Sequence, residues 1–134
     1  MKPFLRLLPF LLFAVLPAYA QSRVHLLASL RAAAGEVYVF LDLYNGDPDP
    51  NELRIKTEKY LLALRLAEDA GVSDKYMEFY KVAGQSLKIA VGGLNDYKTY
   101  VEKLGKDHPY CKESHNDINT ILGYVRRVLE KARR

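Results

Sequence analysis

The chain has no tryptophan, two methionines and a single cysteine in 134 residues. One cysteine, Cys111, excludes an intramolecular disulfide, so the fold rests on packing alone. Strand signals are equally scarce. No segment alternates β-branched with polar residues, the period-2 pattern of a half-buried strand. There is no glycine-rich phosphate loop, no nucleophile elbow and no Ser-His-Asp order worth proposing, so nothing points to an enzyme. Internal repeats and low-complexity tracts are missing too.

What is present starts at the N-terminus. Lys2 and Arg6 lead into an apolar run from Leu7 to Leu16, Pro17 breaks the run, and Ala18-Tyr19-Ala20 closes it. This is the layout of a secretory signal peptide: charged n-region, h-region and small-x-small cleavage site. The run is too short to span a bilayer, which takes roughly 20 apolar residues. Cleavage after Ala20 leaves a mature chain that begins at Gln21, and no cysteine follows the site to carry a lipid. The expected product is exported, periplasmic or extracellular, with one domain over residues 21–134 and no transmembrane segment. Removing 20 residues from 134 leaves 114, enough for one core. The leader holds two basic residues and no acid, so the net charge falls from +4 to +2, which by itself implies no polyanionic partner.

The remainder reads as four amphipathic helices, near 23–44, 50–70, 74–104 and 109–132. In the first, Leu27, Leu30, Ala34, Val37, Leu41 and Tyr44 keep one face turned inward. Gly35 there suggests a close backbone contact. Gly46 is placed to end this helix. Asp49 then caps the second, with Pro50 at N1 and Glu52 at N3. Leu53, Tyr60, Leu61, Leu64 and Ala67 form its inner side, and Gly71 closes it. Ser73 is the expected cap of the third. Its stripe runs from Tyr76 and Tyr80 through Leu87, Leu94 and Tyr97 to Leu104. The phase is kept across Gly92-Gly93, so one continuous helix is predicted. Gly105 ends it. Ile118, Leu122, Val125, Leu129 and Ala132 line the fourth, whose basic end suits the helix dipole. Short connections between such helices predict an all-α, antiparallel up-down-up-down four-helix bundle.

Two groups of residues are candidates for chemistry. His108, Cys111 and His115 recur at i, i+3, i+7, and extending that rhythm leads into the core stripe at Ile118. Imidazole and thiolate suit zinc or copper, and Glu52 is placed to supply a carboxylate. The competing reading is structural: His108 precedes a proline and caps the helix, Cys111 is a small buried hydrophobe, and His115 lays its ring against Tyr100. No cofactor is identified by this pattern. The second group is aromatic and basic. Tyr76, Tyr80, Tyr97 and Tyr100 on the third helix, with Arg126 and Arg127 on the fourth, are candidates for an interaction surface; the competing reading is packing of the tyrosines at the bundle margin and a solvated helix end for the arginines. Tyr124 is the only aromatic among the terminal basic residues, so stacking on nucleic-acid bases is not indicated. The expected role is binding, to another exported or envelope protein. The alternative is a metal or small-ligand carrier that uses His108, Cys111 and His115.

Overall fold

The structure, a computed structural model, describes residues 2–44 and 48–133, with side chains from Arg23 onward. Gly46, the expected end of the first helix, lies outside the described residues. Four helices follow one another: α1 (Lys2–Leu43), α2 (Pro50–Asp69), α3 (Met77–Leu104) and α4 (Pro109–Ala132). There is no strand among the described residues. The packed neighbours are α1 with α2, α2 with α3, α3 with α4, and α4 with α1.

Helix α1 begins at Lys2, well before the expected Arg23. Leucine and alanine in the upstream segment are strong helix formers, and the helix continues through Pro9 and Pro17, each of which removes a backbone donor. Within it, Arg23–Leu43 is long and apolar enough to cross a membrane, by length and composition only, with a third of its apolar window buried.

The other boundaries follow local chemistry. Asp49 accepts a hydrogen bond from the Asn51 amide at 3.1 Å, and Pro50 occupies the first helical position. At the far end of α2, Gly71 takes a φ of 69°. Its amide bonds to the Glu68 carbonyl while the Val72 amide reaches back to Ala67, which is the Schellman arrangement. Val72 then packs against the core, supplying the hydrophobic contact of that motif.

Helix α3 starts at Met77, three residues later than expected, and Ser73 is not its cap. Tyr76 holds the N-cap position without a side-chain cap bond, and Asp74 fixes the turn just before it, its Oδ2 accepting from the Tyr76 amide at 3.0 Å. The helix runs unbroken through Gly92-Gly93.

The core forms along the anticipated stripes. Leu41, Leu64, Leu87, Leu94, Leu122 and Val125 are all buried. The stripe ends emerge from it: Leu27 is half-buried, and Tyr44 and Leu104 are exposed. Tyr60 is fully buried and donates its hydroxyl to the Tyr80 carbonyl at 2.6 Å. Burial pushes the Tyr60 hydroxyl far above the ordinary tyrosine range, with Tyr80 and Glu68 adding to the shift. Thr57 is buried beside this layer with no hydrogen-bond partner for its hydroxyl.

Glycine placement differs from expectation. A Cβ on Gly35 would meet nothing within 4 Å, so no close contact exists there. The close approach is at Gly84, where a Cβ would lie 3.0 Å from Leu64 Cδ2 and 3.2 Å from Leu61 Cδ2. Gly93 plays the same part against Ile118 at 3.2 Å. Each lets a neighbouring helix sit closer than alanine would.

Candidate functional site

The His108, Cys111 and His115 group resolves into three separate structural roles. His108 is the N-cap of α4, its Nδ1 accepting from the Tyr110 amide at 3.1 Å. This follows from Pro109, which keeps the preceding residue extended and leaves its side chain beside the first free amides. Cys111 is fully buried, a free thiol on the inner face. His115 is half-buried. Its ring lies 5.4 Å from that of Tyr97, not Tyr100, and its Nδ1 is 3.3 Å from Asn119 Nδ2. Tyr100 instead meets Tyr110 edge-on, with centroids 5.0 Å apart and planes at 87°. Their hydroxyls also interact, which raises Tyr110 above its ordinary pKa. Glu52 is exposed and lines another groove, with Val39, Phe40, Leu43 and Lys56. Among the described residues no three His, Cys, Asp or Glu side chains are grouped to hold a metal ion.

The aromatic and basic candidates divide as well. Tyr80 is only 2% exposed and is not a surface residue. The stripe rhythm that put it on α3 also turns it inward, where burial raises its pKa against the opposing pull of a hydrogen bond from Arg31. Tyr76 and Tyr97 are half-buried at the margin of the core. Arg126 pairs with Asp42 at 2.7 Å, joining α4 to α1. Arg126 and Arg127 also line a shallow groove with Leu41, Tyr44, Asn119 and Leu122.

One arrangement was missed by sequence reasoning. Tyr76 and Tyr80 share a groove with Arg31, Lys75 and Arg133, residues from three separate stretches of the chain. Arg31 Nη2 pairs with Asp74 Oδ1 at 3.1 Å. Lys75 Nζ lies 4.9 Å from the Tyr76 ring centroid, and the Arg133 guanidinium 4.4 Å from that of Tyr38. No spacing rule could find it, because Arg31 and Asp74 are 43 positions apart. The basic residues ending α4 were the one signal in that direction.

A scan against models of protein families, a search of curated proteins and a search of solved structures each find no match to this chain.

Proposed function

We propose that residues 1–20 are a cleaved export signal and that the remaining antiparallel up-down-up-down bundle acts by binding another exported or envelope protein. The leader's composition supports export. Contacts between helices support the antiparallel arrangement. Glu36 and Phe40 of α1 meet Lys59 and Lys56 of α2. Tyr38 and Asp42 of α1 meet Arg133 and Arg126 of α4. Gly93, Tyr97 and Tyr100 of α3 meet Ile118, His115 and Tyr110 of α4. In each of these three pairs the numbering rises on one partner as it falls on the other.

Arg23–Leu43 is a core helix in this reading. Leu30 and Val37 are fully buried, and the charges of Arg31, Glu36 and Asp42 are paired with Asp74, Lys59 and Arg126.

The observation that carries the binding reading is the outer face of α1. Ala28, Ala32, Gly35, Val39 and Leu43 recur at helical spacing, and all but the half-buried Gly35 are exposed, Val39 at 48% and Leu43 at 72%. Beside it, Val39, Phe40, Leu43 and Tyr44 line a groove of about 450 Å³. Apolar residues gathered in one exposed patch are a feature of interaction sites. The test places a photo-crosslinking residue at Val39 in the exported protein. An adduct with one partner is expected, and Leu43→Glu should abolish it. Labelling no stronger than at the exposed Lys98 would overturn the binding face. An intact mass that retains residues 1–20 would overturn the export reading.

A further inference from the structure

We propose that the groove between the start of α3, the end of α4 and the stretch of α1 around Arg31 and Ala34 binds an amphipathic organic anion, an oxyacid head on an apolar body. This does not rest on the protein-partner reading, which concerns the other side of α1.

The groove has a volume of about 470 Å³. That lies in the range of small-ligand sites, roughly 300–1,000 Å³. Its floor is apolar, made by Ala34, Leu129 and Ala132, all buried. Its described lining carries three cations, Arg31, Lys75 and Arg133, and no carboxylate. Two of these cations face aromatic rings, Lys75 that of Tyr76 and Arg133 that of Tyr38. A ring face holds a cation in place without neutralising it, and leaves its N–H groups available to an anion.

Arg31 is held most firmly. Asp74 takes one side of its guanidinium at 3.1 Å. A planar guanidinium with five donors has capacity beyond that partner. Asp74 is itself fixed, because its other oxygen accepts from the Tyr76 amide. The result is a fixed donor above a greasy floor, with two more cations at the rim. An oxyanion satisfies the donors by charge-assisted hydrogen bonds. An apolar body covers the half-buried Tyr76 ring, which a bare anion leaves wet.

Asp74 also makes the site self-opposing. Its carboxylate competes with any incoming anion for Arg31. Asp74→Asn keeps the oxygen that accepts from the Tyr76 amide, since asparagine also carries an acceptor oxygen, but removes the competing charge. A merely structural ion pair predicts no gain of binding from this change. An anion site predicts one.

The experiment is calorimetric titration of the mature protein with decyl phosphate below its micellar concentration, at fixed ionic strength. Saturable binding at one equivalent is expected. Asp74→Asn should tighten it about threefold or more, and Lys75→Gln and Arg133→Gln should each weaken it about threefold to fivefold, as removal of an exposed charge contact does. Lys75 is exposed and outside the core, so its variant tests the site even if an Arg31→Gln protein fails to fold. Decanol and inorganic phosphate should each bind at least tenfold more weakly. Vesicles of phosphatidylglycerol, set against phosphatidylcholine, identify the source. Binding that needs Lys75 and Arg133 supports a lipid headgroup, and its absence beside decyl phosphate binding supports a free ligand. No saturation by decyl phosphate, an unchanged affinity in Asp74→Asn, or equal binding of inorganic phosphate would overturn the proposal.

Discussion

The turn before α3 and the connection after it are both short, but only the first is tied into the core. Before α3, the Gly71 turn buries Val72, and Asp74 holds both the Tyr76 amide and Arg31 from α1. After α3, Gly105 bonds to Val101 and His108 caps α4, and every residue from Glu102 to Tyr110 is exposed. The only ring contact there is Tyr100 on Tyr110 among the described residues. Both segments contain sound turn chemistry. The difference is that one has a side chain from a distant helix reaching into it. Local caps start and stop helices, but anchorage comes from contacts remote in sequence.

The sharpest way to break this comparison is to cut α3 on either side of the point where it leaves the core. Leu94→Ala should cost about 2–5 kcal/mol, as buried leucine truncations do. Leu104→Ala, at a residue 46% exposed, should stay within about 0.5 kcal/mol. Denaturant melts of the two variants decide it. Equal losses would mean that the far part of α3 is as well packed as the near part.

The alkaline limb tests the layer beneath the anchored turn. Tyr60 has a raised pKa in the folded state, so its neutral form stabilises the fold fully below the ordinary tyrosine value near ~10. Above that pH the unfolded chain has lost the proton that the folded one keeps, and stability falls as pH rises, by up to about 1.4 kcal/mol per unit. Tyr60→Phe should lessen this slope, leaving the part due to Tyr80, while costing about 0.5–1.5 kcal/mol at neutral pH for the missing hydrogen bond. A melting series from pH 8 to 11 measures both.

The side-chain acceptors on either side of α3 give the next contrast. Asp74→Ala removes the acceptor of the Tyr76 amide and the partner of Arg31, and should cost about 1–2 kcal/mol. His108→Ala removes a cap alone, and about 1 kcal/mol or less is expected. Hydrogen exchange should show the loss confined to the first turn of α4 for His108, and spread into α1 for Asp74.

Smaller still is the glycine pair. Gly92 faces open space, so Gly92→Ala should stabilise by up to about 1 kcal/mol through reduced freedom of the unfolded chain. Gly84→Ala meets Leu64 and Leu61 and should lose that gain. Thermal melts that rank Gly84→Ala above Gly92→Ala would reverse the assignment of close packing. The smallest effect is expected from metal. Zinc or copper should leave the melting temperature unchanged, and Cys111 should alkylate slowly because it is buried. Stoichiometric metal lost in both Cys111→Ala and His115→Ala would establish the carrier reading instead.

Much of the helix layout was legible in the sequence, because Asp49-Pro50, Gly71, Gly105 and His108-Pro109 act on neighbouring amides. The stripe residues were legible for the same reason: spacing alone turns Leu87 and Leu94 the same way. What could not be read was any choice settled by a second helix. Ser73 and Asp74 are both acceptable acceptors before α3, and Arg31 is the residue that engages Asp74. Gly35 and Gly84 look alike until Leu64 arrives beside one of them. His115 had two tyrosines within reach, and the packing of α3 on α4 selected Tyr97. The basic groove is the extreme case, since three stretches of chain meet in it.

Helix α3 also acts as a spacer. Its 28 residues at about 1.5 Å each hold Asp74 and His108 roughly 40 Å apart along one continuous rod. Perturbations separated by more than about 10 Å, with no shared partners, sum independently. A protein changed at both Asp74 and His108 should therefore be destabilised by the sum of the two single losses. Whatever occupies the groove would leave the α3–α4 connection thermodynamically indifferent, so each end of α3 can vary without a compensating change at the other.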